Sequence, residues 1–228
     1  MSHYSEEEQI ESLKAFWEDY GNAVLSLLLI ASVAFAGWRY WQVHQRKIQE
    51  EGAMHFQQVM MDYEQDQAGD AAHNTALQSD AHKLIASQPN SGYANLARWM
   101  LARKAVDHGD LNEATKQLNE VLAHTPDAQV AALTHLRLAQ VLLAQGQTEA
   151  AIKQAQAITD PAYQASSLEL QGDAWVQAKN LDKAHASYQA AKDALVAAKL
   201  PPRPLLNMKM ADLGIKPQDV PAQGVPAS

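Results

Sequence analysis

Histidines are the side chains of this sequence best suited to bind a metal ion, and the chain contains nine of them. A helical zinc site needs ligands at a fixed spacing, such as two histidines four positions apart with a glutamate beside the first. No such pattern occurs, so we predict that the histidines occupy surface or core positions and hold no metal. Those beyond the N-terminal residues are His44, His55, His73, His82, His108, His124, His135 and His185.

Other residue types that could carry catalysis also lack the pattern that their chemistry requires. The chain has no cysteine, which excludes thiolate nucleophiles, thiolate metal sites and disulfides. Gly109 and Gly146 each stand alone between helical segments and form no phosphate-binding loop, and no nucleophile-elbow motif occurs. Acidic residues such as Glu6 and Asp160 lie at helix starts or turns, where carboxylates cap helices. We therefore predict a protein that is not an enzyme and uses no cofactor.

The composition favours packed helices and excludes one class of partner. Hydrophobic residues make up 47% of the 228 residues and aromatic residues only 7%, because alanine dominates the apolar share. Alanine favours closely packed helices over sheets, so we predict an all-α fold. The formal net charge of -8 offers no domain-wide attraction to DNA or RNA. We expect no nucleic-acid partner.

An apolar stretch from Tyr20 to Trp41 is long enough to cross a membrane. As a helix it would rise about 33 Å, close to the thickness of the hydrocarbon core of a bilayer. Aromatic rings settle at headgroup depth on both sides of a membrane, and aromatic residues bracket this stretch. We predict a single transmembrane helix over residues 20–41, through which the chain contacts lipid. The bracketing residues are Trp17, Tyr20, Trp38, Tyr40 and Trp41.

Two other interpretations of the stretch are a cleavable signal peptide and a buried helix of a soluble protein. Residues 34–36 have the Ala-Phe-Ala pattern of a cleavage site. However, the preceding segment is acidic where a signal peptide is basic, and a second aromatic belt has no role in a peptide that is removed. Within residues 1–19, Ser5 and Glu8 form a capping box. The apolar spacing there fits either an interfacial helix or a short ordered turn of a soluble N-terminus.

The charges that flank the span give a weak indication of its orientation. Arg39, Arg46 and Lys47 follow the span, whereas only Lys14 and the chain terminus precede it. Counted literally, the positive-inside rule places the large domain in the cytoplasm. The bias amounts to a few charges, so the orientation has to come from other information.

Three helix-turn-helix units recur after the span. Their turns lie at residues 108–111, 145–148 and 179–182, and an alanine follows each turn at the same offset. These alanines, and small residues in the preceding helices, both repeat at intervals of 37 and 33 positions. Small side chains at such points allow the two helices of a unit to approach closely. The positions are Ala114, Ala151 and Ala184 after the turns, and Ala102, Ala139 and Gly172 before them.

This pattern resembles the tetratricopeptide repeat, in which a small residue, a turn, an alanine and a final proline recur. Pro126 and Pro161 end the first two units. The third unit has no such proline, and in the second unit Ala155 replaces the usual aromatic residue. An additional helix pair at about residues 50–67 and 74–87 is interpreted as a degenerate first unit.

The composition changes after Leu200. The cluster of prolines that follows is incompatible with helix, and Leu206, Met208 and Met210 alternate with polar positions. This alternation predicts an extended piece against the last helix pair, followed by disorder over the last dozen residues. The predicted segments are residues 1–19 as an N-terminal segment, 20–41 as the span, 42–200 as a helical-repeat domain and 201–228 as a Pro-rich, partly disordered tail.

Repeats of this kind present a concave surface formed by the first helices of successive units. Such a surface can bind a peptide, a helix or a folded protein, so we predict a protein-binding function. For Trp99, Leu136 and Leu143, ordinary packing against adjacent helices is the competing interpretation. The inward-curving positions predicted from the repeat register are Trp99, Arg103, Leu136, Gln140, Leu143, Asp173 and Val176.

The architecture as a whole resembles the YfgM family of ancillary SecYEG translocon subunits. The resemblance rests on the acidic N-terminus, the span with its trailing segment WRYWQVHQ, and the degenerate repeats. It implies an inner-membrane protein with a cytoplasmic N-terminus and a periplasmic repeat domain. It also implies association with the SecYEG translocon and the periplasmic chaperone PpiD, and assistance to exported client proteins. For the orientation of the span, the resemblance takes precedence over the count of flanking basic residues.

Other functions fit parts of the same sequence. An assembly factor for another membrane complex would have the same architecture, and a cytoplasm-facing regulatory adaptor would agree with the flanking charges. A hydrolase would require a catalytic constellation that the sequence does not contain.

Overall fold

The computed structural model of the protein describes residues 4–67 and 71–214, and side chains at residues 14, 16–65 and 75–214. Within these ranges the regular structure is helical, and a 3₁₀ turn, Pro161–Tyr163, precedes α7. The helices are α1 (Tyr4–Gln67), α2 (Ala71–Ser87), α3 (Gly92–Asp107), α4 (Leu111–His124), α5 (Ala128–Ala144), α6 (Thr148–Gln156), α7 (Gln164–Gln177), α8 (Leu181–Ala197) and α9 (Pro204–Asp212).

The chain divides into two compact units, residues 1–54 and 55–228. The first unit consists of helix α1 up to Met54, and its apolar side chains point into solvent: Leu29 is 67% exposed and Ile30 is 69% exposed. The region is long and apolar enough to cross a membrane. The capping box predicted at Ser5 and Glu8 involves side chains that lie outside the described residues.

The second unit contains three helical hairpins, α3 with α4, α5 with α6, and α7 with α8. They correspond to the three units predicted from the repeated turns. The end of α1 and helix α2 share a core cluster with α3, in which Val59, Leu77 and Leu84 are fully buried. This arrangement agrees with the interpretation of residues 50–87 as a degenerate first unit.

The three hairpin turns share one backbone geometry. A residue in the left-handed conformation follows the first helix of each hairpin: Gly109 at φ 77°, Gly146 at φ 76° and Lys179 at φ 58°. The next N–H then donates to the carbonyl five positions back, as from Asp110 to Ala105 at 2.8 Å. This is the hydrogen bond of a Schellman motif, which ends a helix sharply. The turn therefore returns the chain along the preceding helix.

Polar side chains cap the N-termini of α4, α5 and α8. Asp110, Asp127 and Asn180 each accept a hydrogen bond from a backbone N–H two or three positions later, at distances between 2.8 and 3.2 Å. These bonds satisfy N–H groups that have no partner within the helix. The starts of these three helices are thus encoded locally.

The small residues predicted between paired helices lie where the helices approach. Ala114, Ala151 and Ala184 are at most 1% exposed. A Cβ atom added at Gly172 would lie only 2.3 Å from Cε1 of Tyr188 on the facing helix α8. The prediction of close approach is confirmed, and at Gly172 no larger residue fits without rearrangement.

The segment after Leu200 differs from the prediction. Pro204–Asp212 is helix α9, not an extended piece, and it begins with Pro204 in its first turn. A proline is compatible with that position because its fixed φ suits a helix and its missing N–H needs no partner there. Leu206 and Met210, one helical turn apart, are 1% and 2% exposed against α7 and α8. The last dozen residues, predicted to be disordered, lie outside the described residues.

Candidate protein-binding groove

An open groove lies between α3 and α5, the first helices of two successive hairpins. Its volume is about 570 Å³. Helix α4 closes it from below with Leu111 and Leu118, and Tyr63 from the end of α1 stands at one side. The complete lining is Tyr63, Leu96, Trp99, Met100, Ala102, Arg103, Val106, Leu111, Leu118, Arg137, Gln140, Val141 and Ala144.

The groove exists because α3 and α5 are joined by side chains and not by close backbone packing. Helices α5 and α7 contact each other directly, whereas α3 and α5 have no comparable contact. Trp99 bridges the gap by donating from its indole Nε1 to Oγ1 of Thr134 at 3.1 Å. The Thr134 hydroxyl in turn donates to the carbonyl of Val130 at 2.6 Å and is fully buried. The indole is therefore fixed at the edge of an apolar opening.

Arg137 covers the face of this fixed indole. Its guanidinium carbon lies 4.4 Å from the centre of the Trp99 ring, a cation–π contact. Burial lowers the pKa of Arg137 from its ordinary value, and an arginine remains charged at neutral pH despite such a shift. Within the described part of the chain, no carboxylate forms an ion pair with it.

Arg103 is the second cation of the groove. Its Nε donates to both carboxylate oxygens of Asp107 at 2.9 and 3.2 Å. The two side chains are 68% and 41% exposed, so this helical pair contributes little to stability. It leaves the remaining guanidinium donors of Arg103 accessible at the rim.

The structure brings together three of the seven residues predicted for binding. Trp99, Arg103 and Gln140 line the groove. Leu136 and Leu143 are partly buried against the core of the central hairpin, which agrees with the competing interpretation of ordinary packing.

The predicted residues of the third hairpin lie elsewhere. Asp173 accepts a hydrogen bond from the hydroxyl of Tyr188 at 2.7 Å and from Nζ of Lys209 at 2.8 Å. It therefore contacts helix α9 of its own chain. Val176, on the same helix α7, is 38% exposed and lies outside the groove.

The sequence analysis did not select Arg137, because the binding positions predicted on α5 lie about one residue before the side of the helix that lines the groove. The predicted positions Leu136, Gln140 and Leu143 follow a helical stripe, but the stripe that faces the groove is Arg137, Gln140, Val141 and Ala144. One residue turns a helix by about 100°, so a shift of one position selects a different face. The sequence does contain a signal for this face, because an arginine lies three positions before Gln140, on the same side of the helix.

The histidines whose contacts are described have structural roles. His135 Nδ1 lies 2.7 Å from Oε1 of Gln154, and His82 and His124 make contacts of 2.6 and 2.8 Å with carbonyls of their own helices. No group of three or more potential metal ligands comes together among the described residues.

Comparison with known proteins assigns this architecture. Residues 14–215 match the family described as tetratricopeptide repeat-like domain. The chain belongs to this family. The match covers both the apolar helix and the helical hairpins, and it confirms the predicted all-α, tetratricopeptide-like fold.

Similar proteins carry one common name. The ancillary SecYEG translocon subunit of Escherichia coli (strain K12) is 28% identical over 211 residues, which cover 92% of this chain and 98% of that protein. Proteins of the same name from Aggregatibacter actinomycetemcomitans and Neisseria gonorrhoeae are 26% and 24% identical, covering 82% and 93% of this chain and 89% and 99% of their own lengths. No solved structure gives a significant match. The resemblance to the YfgM family of ancillary SecYEG translocon subunits is confirmed.

Proposed function

We propose that this protein is a non-catalytic, membrane-anchored scaffold that associates with the SecYEG translocon and binds other proteins through the groove between α3 and α5. The observation that carries the proposal is an open, partly apolar groove in a repeat domain that follows an apolar helix of membrane-spanning length. The name shared by its relatives supplies the translocon as the partner.

The exposed side chains of α1 support the membrane anchor. Leu27, Leu29 and Ile30 are each more than 65% exposed, and a continuous apolar surface of this kind requires a lipid or protein environment. Trp38 and Trp41 are also more than half exposed, at the end where an aromatic belt is expected. Together with the relatives' name, this supports a location in the inner membrane.

In the proposed arrangement, the N-terminus is cytoplasmic and the repeat domain is periplasmic. The scaffold then stands at the exit of the channel, where tethering raises its effective concentration for partner proteins. Its proposed partners there are the chaperone PpiD and newly exported client chains, which it helps to pass to periplasmic chaperones.

The basic residues after the span favour a second candidate, a cytoplasm-facing adaptor or assembly factor for another membrane complex. Arg39, Arg46 and Lys47 are the observation on its side. Fusing alkaline phosphatase or green fluorescent protein to the C-terminus distinguishes the two orientations. We expect phosphatase activity without fluorescence, and fluorescence without phosphatase activity would assign the adaptor.

A photoreactive amino acid in the groove tests the partner. Gln140 is exposed and lines the groove, and Lys153 on α6 is exposed outside it. We expect cross-linking in native membranes from position 140 to translocon or PpiD polypeptides, identified by mass spectrometry, and none from position 153. Equal yields from both positions, or the absence of these polypeptides, would contradict the proposal.

A further inference from the structure

The charge of the groove differs from the charge of the chain. The protein carries a formal net charge of -8, yet Arg103 and Arg137 are the charged members of the groove lining, and no Asp or Glu of the described chain belongs to it. Asp107 neutralises part of the charge of Arg103 from outside the lining. A cationic lining in an acidic protein favours an anionic occupant by charge complementarity.

Arg137 lines the groove and is available to an acceptor from outside the domain. Its guanidinium carbon lies over the Trp99 ring, 4.4 Å from the ring centre. The N–H donors of a guanidinium lie in its plane, where they match the two oxygens of a carboxylate. No ion pair within the described residues uses these donors, and the contact with Trp99 restrains the side chain before an incoming carboxylate binds.

The floor of the groove is suited to apolar side chains. Leu111, Leu118 and Val141 belong to its lining, and its volume of about 570 Å³ lies within the range usual for ligand pockets. Grooves of this form accept the apolar face of a helix, with side chains one turn apart as anchors. The recognised segment therefore needs both apolar anchors and a negative charge.

We propose that the groove binds an amphipathic helical segment of a partner protein whose leucine-like side chains fill the apolar floor and whose carboxylate pairs with Arg137. Arg103 provides a second, rim-exposed cation for the same segment. The proposal rests on the proposed protein-binding function of the groove and specifies the chemistry of its ligand. Trp99 holds Arg137 in place and is a positioning residue in this arrangement.

The proposal can be tested with the full chain in phosphatidylcholine nanodiscs and three fluorescent peptide probes. Each probe is a helix of about 16 residues with leucines at positions i, i+3, i+4 and i+7, and with glutamate, glutamine or lysine at one flanking position. Fluorescence anisotropy gives the Kd. We expect the glutamate peptide to bind about tenfold more tightly than the glutamine peptide, and the lysine peptide to bind most weakly.

Variants of the protein locate the effect. Arg137→Gln should reduce the affinity for the glutamate peptide by about tenfold and leave the affinity for the glutamine peptide nearly unchanged. Lys153→Gln removes an exposed cation outside the groove and should change neither affinity. Circular dichroism checks that both variants fold. If Arg137→Gln does not fold, Arg137→Lys should still show a reduced preference for glutamate, because lysine lacks the bidentate geometry.

Three outcomes would overturn the proposal: no binding of the glutamate peptide, equal binding of the glutamate and glutamine peptides, or equal weakening of both by Arg137→Gln. These outcomes are distinct from failure of the translocon association. Cross-links from position 140 that persist alongside equal peptide affinities would reject the acidic ligand and retain the scaffold. Selective binding of the glutamate peptide without translocon or PpiD cross-links would reject the partner and retain the groove chemistry.

Discussion

Single residues set the spacing of the helices in the repeat domain. Gly172 on α7 faces the ring of Tyr188 on α8, and Tyr188 is held in turn by its hydrogen bond to Asp173. The Tyr188 side chain is only 2% exposed. A methyl group at position 172 would have to displace the ring or separate the helices.

We therefore expect Gly172→Ala to reduce the free energy of unfolding by about 1–3 kcal/mol. Although alanine is the better helix former, the contact of 2.3 Å with Cε1 of Tyr188 outweighs its propensity advantage. Urea unfolding followed by circular dichroism measures the change. Gly92→Ala is the matched control, because a Cβ there meets nothing within 4 Å, and it should be neutral or slightly stabilising. Equal stability of the two variants would contradict the close approach.

Among the helices, α9 has the position of the first helix of a further hairpin. Leu206 and Met210 bury against α7 and α8, so α9 covers an end of the repeat array that would otherwise expose apolar surface. Polar contacts add to this docking: Lys209 donates to Glu169 at 2.9 Å and to Asp173 at 2.8 Å. Arg203 reaches Glu169 at 3.2 Å. This end of the array is therefore closed by the chain itself, whereas the groove between α3 and α5 stays open.

Lys209→Met should weaken the docking of α9 and lower the free energy of unfolding by about 1.5–3 kcal/mol near pH 7. Burial by itself lowers the pKa of Lys209, but hydrogen bonds and charges of Asp173 and Glu169 outweigh it and raise the pKa above 10.5. A raised lysine pKa stabilises the fold fully below the ordinary value and ceases to do so as the pH rises through the raised value.

The stability difference between the native chain and Lys209→Met should thus stay constant from pH 7 to about pH 9 and shrink above about pH 10.5. Burial also raises the pKa of Tyr188. This lowers the free energy of unfolding of both proteins at alkaline pH, so the effect largely cancels when the two are compared. Urea titrations across this pH range supply the data. Lys153→Met, an exposed lysine replaced outside the α9 contact, is the control for the substitution itself. A stability difference for Lys209→Met that grew with pH would refute the assignment of the ion pair.

The whole molecule combines a unit whose apolar surface faces outward with a unit that encloses its own cores. The apolar side chains of residues 16–54 are largely exposed. The described core clusters, by contrast, begin at Phe56 and continue to Leu213. Nothing in those clusters comes from the first unit, so the second unit has the contacts it needs to fold by itself.

We expect residues 55–228, expressed without the first unit, to form a water-soluble helical domain with cooperative unfolding. The full chain should remain in the membrane pellet after an alkaline carbonate wash, because its apolar helix stays in lipid. Circular dichroism and fractionation followed by immunoblotting provide the measurements. Aggregation of the fragment, or release of the full chain by carbonate, would contradict this division of roles.

Features that depend on short stretches of chain could be predicted from the sequence. The helices, the glycine-containing turns and the small residues Ala102, Ala139 and Gly172 follow from patterns within one hairpin or from its repetition. Such patterns depend on the helical period and on backbone geometry, which act over a few residues. The apolar helix is likewise evident from length and composition alone.

The groove and the docking of α9 depend on contacts between distant residues. Trp99 and Thr134 are 35 positions apart, and Lys209 and Glu169 are 40 apart. Whether α3 and α5 separate or pack together depends on the rotation of one hairpin against the next. The same rotation decides that Arg137, and not the predicted Leu136, lines the groove. Side-chain packing between hairpins sets that rotation, and no local pattern along the chain records it.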